Sequence, residues 1–411
     1  MIITDDTIDR LKNWRNIFAD ELENNILNCW LRYAADKKYG GFYGFIHNNN
    51  KADEQTPKGL VMHGRFLWTY SAAYRINRYL PYFHAAERTL FFLEEHLMDK
   101  ERGGYYWICD YTGKPIDKKK QIYGQAFAIY GLSEFARASG LKGPADQAKQ
   151  VFRLLEEKAR DPQYGGYFEA FERDWSFPAD GKSALGNEDP DCEKSMNTNL
   201  HVLEAYTNLY RVCPEKPIRE ALEDLVNVIF KRIVDPNTHH LNLFFDKAWN
   251  SSLKIESYGH DVEAGRLLWE ALTELKDQEL QDRYKAEVIA ITDTTINEGL
   301  SADFGLNYQK KDNILETDKH WWPQAELMIG LLNAWQMTGD QSYLEIIPKT
   351  WDFVKKNIAA ENGEWYWGRK ADNTIMKDEK GGIWKTPYHN GRFCMEFIER
   401  IDKIMQARDS E

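Results

Sequence analysis

Long apolar runs are missing from this chain. Nowhere do about 18 or more apolar residues follow one another, which excludes a membrane-spanning helix. An excess of positive charge is missing too: 53 Lys and Arg stand against 65 Asp and Glu, a net charge of −12. That balance argues against nucleic acid, which selects basic patches. The five cysteines (Cys29, Cys109, Cys192, Cys213 and Cys394) are scattered without a C-x-x-C pair. Neither a disulfide framework nor a zinc site is expected from them, and the pattern fits a reducing compartment. The first residues show no basic stretch followed by an apolar one, so no signal peptide is expected. H-E-x-x-H, P-loop and G-x-G-x-x-G motifs are all absent. The expectation is a cytoplasmic protein, monomer or homodimer, without nucleic-acid or membrane partners and without a metal or cofactor. Its ligand would be a neutral or cationic small molecule.

Aromatic residues are plentiful, with 14 Trp, 22 Tyr and 20 Phe. They suit either a well-packed helical core or a groove for sugar rings. Two helix types alternate along the chain. One is amphipathic, over residues 7–30, 82–98, 145–160, 216–233, 277–297 and 342–358. The other is apolar nearly all round, over 64–79, 124–138, 198–211, 261–275, 323–337 and 390–405. A helix apolar on every side is buried on every side, and an amphipathic one faces water. Six outer and six inner helices predict an all-α (α/α)6 barrel, a single catalytic domain over 1–411. Each outer helix is followed by an aromatic, Gly-rich segment: GGFYGF at Gly40–Phe45, GGYYW at Gly103–Trp107, GGYFEAF at Gly165–Phe171, then HLNLFF, FGLNY ending at Tyr308, and GEWYWG. These read as short strands or β-hairpins at the end where the inner helices begin. The third repeat carries a polar insertion, 172–197, read as a mouth loop.

The openings of the inner helices hold the chemistry-bearing residues: Arg65, then Tyr123, then Asn199 with His201, then His260 with Glu263. Trp322 with Gln324 and Glu326 follows, and last Trp384, Tyr388, His389, Asn390 and Arg392. In a closed barrel they converge on one pocket, with the three histidines at equivalent places of the repeat. Histidine titrates near neutrality and both accepts and donates protons. Each residue also has an ordinary reading, as a helix cap, a core hydrogen bond or a paired charge. His260 and Glu263, three residues apart, are a weak metal pair. His47, His63, His84, His96, His239, His240 and His320 are left as structural.

Four stretches go further: MNTNLHVLEAYTNLYR at Met196–Arg211, GHDVEAGRLLWEA at Gly259–Ala271, KHWWPQAE at Lys319–Glu326 and GGIWKTPYHNGRFCMEF at Gly381–Phe397. On these, the chain resembles the N-acylglucosamine 2-epimerase superfamily over nearly its whole length, its cellobiose 2-epimerase branch most closely. The resemblance implies an (α/α)6 barrel and a cofactor-independent 2-epimerase. The substrate it implies is the reducing-end glucose or mannose of β-1,4-linked disaccharides such as cellobiose and lactose. It puts catalysis on His201, His260, His389 and Arg65; from the chemistry such a site needs, Glu263 is expected to orient His260 or relay a proton. Sugar contacts are expected from Tyr123, Asn199, Trp322 and Trp384, with Asp189 and Tyr308 at the mouth. Competing readings are an aldose–ketose isomerase, an N-acylglucosamine or mannose 2-epimerase, an inverting glycoside hydrolase using Asp261, Glu263, Glu326 or Asp189, and a non-catalytic sugar binder.

Overall fold

The apolar helices begin two to four residues earlier than their hydrophobic runs imply. In the computed structural model, which describes residues 4–186, 189–251 and 253–409, the inner helices are Leu60–Asn77, Ile122–Ser139, Met196–Val212, Tyr258–Leu275, Trp321–Thr338 and Tyr388–Asp409. The added residues are mostly apolar or aromatic, such as Leu60, Val61 and Met62 or Trp321 and Trp322, which follow directly on short strands. Outer helices such as Lys216–Val228 bury one stripe (Ile218, Ala221, Leu222, Leu225, Val226) against the inner ring. Proline at the first turn of Leu80–Phe92 and of Lys216–Val228 costs no hydrogen bond there. The result is the expected (α/α)6 barrel, with a core that runs unbroken through the inner helices.

Close approach between the first two inner helices requires glycine. A Cβ on Gly64 would lie 2.7 Å from the Phe127 carbonyl oxygen, and one on Gly131 would lie 2.8 Å from that of Gly64. Contacts this short do not occur between real atoms, so any side chain here would push the helices apart.

The short strands differ from the expectation of hairpins. Among the described residues, two hairpins of short strands form, Ile108–Cys109 with Pro115–Asp117 and Gln309–Lys311 with Ile314–Glu316, and single antiparallel bridges such as Ala35 with Phe42 and Met98 with Tyr105 fold other segments back within their own repeat. The main pairings, however, run between repeats, all antiparallel. Lys58–Gly59 pairs with Ile108–Cys109, Lys120–Gln121 with Ala170–Phe171, and Lys194–Ser195 with Phe244–Phe245. Ile255–Glu256 then pairs with Gln309–Lys311 and Lys319–His320 with Gly368–Arg369, and Phe45–Ile46 with Gly381–Gly382 closes the ring. Each strand just before an inner helix is thereby stitched to the Gly-rich segment of the next repeat. The last residues of the 172–197 stretch belong to this frame: Lys194–Ser195 is strand and Met196 starts the helix.

Candidate active site

Residues at fixed depths of the inner helices build the mouth. The fourth residues of the first five are His63, Gln125, Asn199, Asp261 and Gln324, and each holds the Gly-rich segment of its own repeat. Gln125 accepts from the Tyr105 N–H at 2.8 Å and donates to its carbonyl at 2.9 Å. Asn199 does the same to Tyr167 at 2.8 and 3.1 Å, and Gln324 to Leu306 at 2.7 and 3.0 Å. Asp261 accepts from the Leu241 N–H at 2.9 Å and His63 from the Phe42 N–H at 3.4 Å. The paired glycines follow from this brace: Gly166 has φ +70°, and a Cβ there would sit 2.8 Å from Asn199 Oδ1. Asn199 is therefore a brace and not the sugar-hydroxyl contact expected of it. It is fully buried, and its remaining N–H donates to the Ser195 carbonyl at 2.9 Å.

The sixth residues lie one half-turn deeper: Arg65, Phe127, His201, Glu263 and Glu326. Arg392 of the last helix completes this layer as a fully buried hub. Its guanidinium donates to Glu263 Oε1 at 2.7 Å and Glu326 Oε1 at 2.5 Å, and also bonds Glu204 and the Tyr388 hydroxyl. Arg266 flanks it, 3.7 Å from Glu326 and 3.9 Å from Glu204. Burial by itself would raise the Glu326 carboxyl, but Arg392 and the bond from His389 hold it down at about 2. Glu204 is held low in the same way, by Arg392 and His201 against burial. Burial, and then the nearby Glu326 charge, push Glu263 up.

The histidines occupy two levels, not equivalent positions. His201 is the sixth residue of its helix and His260 the third of its own. His389 Nδ1 lies 2.7 Å from Glu326 Oε1, and His201 Nδ1 lies 2.8 Å from Glu204 Oε2. A neutral ring that donates through Nδ1 presents Nε2 as an open lone pair. His260 Nδ1 is 2.8 Å from Ser257 Oγ. Ser257, not Glu263, thus orients His260; Glu263 is committed to Arg392 and stands 4.0 Å from His389 Nδ1. The Trp322 indole lies between two of the rings, its centroid 4.7 Å from His260 and 5.6 Å from His389. Burial drives both of these imidazoles down to about 3, overcoming the upward pull of Glu326 on His389. Both are neutral bases near pH 7.

Arg65 closes the other side. It donates to the Trp384 carbonyl at 2.6 Å and the Tyr123 hydroxyl at 2.9 Å, with its guanidinium 4.7 Å over Phe127 and 5.0 Å over Tyr388. Tyr123 meets His201 edge-on at 5.0 Å and Trp384 at 6.2 Å. From His260 a cleft of about 630 Å³ runs outward past Ser257 and Asn197 to Tyr308 and Asp189. Tyr308 stacks on His320 at 3.9 Å, and the Asp189 carboxylate accepts from the Gly186 N–H at 3.1 Å.

Glu204, Arg266 and Ser257 escaped the sequence reading. The i, i+3 spacing of His201 and Glu204 was the available signal for one of them, and the others carry none. Among the described residues, two clusters have metal-ligating character, Glu263–Glu326–His389 and His240–Glu256–Glu298. In the first, the Arg392 guanidinium already bonds both carboxylates and fills the place of a cation.

The family model for N-acylglucosamine 2-epimerase (GlcNAc 2-epimerase) matches residues 40–391. A cellobiose 2-epimerase of Bacteroides fragilis is 41% identical over 92% of this chain and 97% of its own length. One from Dictyoglomus turgidum is 35% identical over 95% and 100%. The solved cellobiose 2-epimerase of Bacillus thermoamylovorans superposes with a TM-score of 0.90 at 36% identity, covering 95% of this chain and 100% of that one. More distant are a D-mannose isomerase of Marinomonas mediterranea, at 21% identity over 88% of this chain and 92% of its own length, and the mouse N-acylglucosamine 2-epimerase, at 20% over 96% and 93%. Together with the barrel and its ring of imidazoles, these matches identify the chain: it belongs to the N-acylglucosamine 2-epimerase family and is a carbohydrate epimerase, an enzyme of the isomerase class.

Proposed function

We propose that the protein interconverts the glucose and mannose forms of the reducing-end sugar of β-1,4-linked disaccharides, cellobiose and lactose first, without a cofactor. The observation that carries this reading is a pair of neutral imidazoles, the half-buried His260 and the buried His389, packed against the same Trp322 indole, with the Arg65 guanidinium near His389. Epimerisation at carbon 2 needs an open aldehyde, because only then is the adjacent C–H acidic. His389 passes the anomeric proton to the ring oxygen. One imidazole then takes the carbon 2 proton at its Nε2; the other takes up a proton from water and returns it to the opposite face of the enediolate, and the first gives its proton back to water. The negative enediolate is what makes an imidazolium affordable in so buried a pocket. Arg65 donates to the enediolate oxygen, the kind of preorganised charge that carries much of the rate enhancement in such sites. His201, with Nε2 open, contacts the carbon 1 or carbon 2 oxygen. Glu326 holds His389 in its working tautomer, and Glu263 acts through Arg392. Trp322 and Trp384 stack the sugar rings.

The disaccharide assignment is supported by the cleft continuing past His260 to Tyr308 and Asp189, beyond the space one hexose would need, and by the relatives' own substrate. Residues 1–411 then form one catalytic domain in which 172–197 shapes the mouth. Incubation with cellobiose, lactose, mannose or N-acetylglucosamine in deuterated water decides the matter. An epimer of cellobiose or lactose carrying deuterium at carbon 2 is the expected product. A ketose would make the protein an aldose–ketose isomerase, which shares the enediolate, and turnover of N-acetylglucosamine or mannose alone would move the substrate.

A further inference from the structure

The fourth repeat breaks a rule that its neighbours keep. In the first three repeats the second glycine of each pair is Gly41, Gly104 or Gly166, and two residues before the inner helix stands Lys58, Lys120 or Lys194. Each lysine is buried against an aspartate: Lys58 on Asp36 at 2.7 Å, Lys120 on Asp99 at 2.9 Å, and Lys194 on Asp161 at 2.7 Å. In the fourth repeat the glycine position is His240 and the lysine position is Glu256. A buried ammonium has been exchanged for an imidazole and a carboxylate. Glu298, at the end of the outer helix Gln278–Gly299, adds a second carboxylate.

The geometry here is that of a ligand set. His240 is 4% exposed, and its Nδ1 lies 2.7 Å from Asp261 Oδ2. Its Nε2 has no hydrogen-bond partner among the described residues and faces Glu256 Oε2 at 3.7 Å and Glu298 Oε2 at 3.6 Å. Those distances are too long for hydrogen bonds. They match the roughly 3.4 Å between ligand atoms of a tetrahedral ion with bonds of about 2.1 Å. The three ligand atoms lie within 4.8 Å of one another. A carboxylate on the far nitrogen of the ring is the usual support for a metal-bound histidine, fixing its tautomer and raising its donor strength. A cation is already drawn to the place: the Lys310 ammonium sits 2.8 Å from Glu256 and 3.2 Å from Glu298. Lys310 is on a strand at the surface, with 27% of its side chain exposed, and can swing into water.

We propose that His240, Glu256 and Glu298 bind a divalent transition metal of the zinc class, with Asp261 behind the histidine and Lys310 as a built-in competitor. The donor set of one imidazole and two carboxylates suits zinc, with water as the fourth ligand. The site is separate from the sugar pocket but joined to it through the chain. Asp261 follows His260, and Glu256 precedes Ser257, the residue that orients His260. Bound metal would tie the outer helix, the strand Ile255–Glu256 and the start of the inner helix together. It would brace His260 and take no part in proton transfer.

Equilibrium dialysis of the full chain, stripped with chelator and returned to Zn²⁺, tests this without reference to any sugar. One Zn²⁺ per chain is expected, with a rise in Tm on loading. His240→Asn keeps a donor towards Asp261, and Glu298→Gln changes a half-exposed group; each should weaken binding at least tenfold and abolish the Tm rise. Lys310→Met should tighten it by removing the competing charge. The proposal is overturned if the native chain takes up no stoichiometric zinc. It is equally overturned if either ligand variant binds as the native chain does, or if Lys310→Met leaves the affinity unchanged.

Discussion

The two ends of the barrel are built from the same materials and behave differently. At the end away from the mouth, arginines and glutamates of the inner helices pair off around a cavity of about 440 Å³. Arg211 bonds Glu270 and Glu274 at 2.7 and 2.8 Å, Arg75 bonds Glu134 and Glu399, and Arg400 bonds Glu396 at 2.7 Å. These pairs are partly wet and in balance, and no histidine lies among the residues around that cavity. At the mouth the same residue types are dry, and one hub, Arg392, serves Glu204, Glu263 and Glu326 at once. Polar atoms are left over there: Arg65 Nε and Glu326 Oε2 have no hydrogen-bond partner among the described residues. Charge alone does not make a site. Charge held without water, beside neutral imidazoles and indole faces, does.

That contrast can be broken most directly at the imidazoles. His389→Ala and His260→Ala should each lower kcat/KM by about 10²–10⁴-fold, the range for loss of a general acid or base, with the melting temperature little changed. Near-native kinetics in either variant would remove that residue from the proposed chemistry.

The hubs of the two ends offer the next comparison. Arg392→Met leaves buried carboxylates unpaired and should cost about 3–5 kcal/mol of stability in denaturant titration. Arg211→Met, whose side chain and glutamate partners stay partly in water, should cost clearly less. Equal losses would show that burial is not what separates the two ends.

Asn199→Ala removes a brace and not a ligand. It should lower stability by about 1–3 kcal/mol, the cost of leaving buried backbone groups unsatisfied, while KM for cellobiose stays the same. A large rise in KM with unchanged stability would restore Asn199 to the sugar contacts.

The smallest effect concerns pH. His260 and His389 fall from the ordinary 6.5 to about 3 in the folded protein. Between those values the unfolded chain binds protons that the folded one refuses, so stability present above about pH 6.5 is lost as the pH falls towards 3. Melting curves from pH 7 to 4.5 should show this slope, and His260→Asn should flatten part of it. An unchanged slope in that variant would place the sensitivity elsewhere.

Much of this molecule was legible before any coordinates. The alternation of all-apolar and amphipathic helices specified the barrel, because only a doubly enclosed ring buries helices on every side. Aromatic, Gly-rich segments marked the active end, and His201, His260, His389, Arg65 and Trp322 do meet there. Less legible were the helix starts: the helix Trp321–Thr338 begins at two tryptophans that follow the strand Lys319–His320 directly, so strand and helix share one run of residues with no break between them. Asn199 misled because a brace and a ligand contact look alike in one dimension. The pairing of strands across repeats left no local mark at all.

Periodicity, in the end, was decided along the chain, and partnership was decided in space. Which helices face inward follows from side chains three and four residues apart, and any reader of the sequence can count those. Which carboxylate holds His389, and which cation gathers Glu204, follows from groups 63 and 188 residues apart brought within bonding distance. Hydrogen bonds and desolvation act over a few ångströms, so only closure of the ring could choose among the candidates.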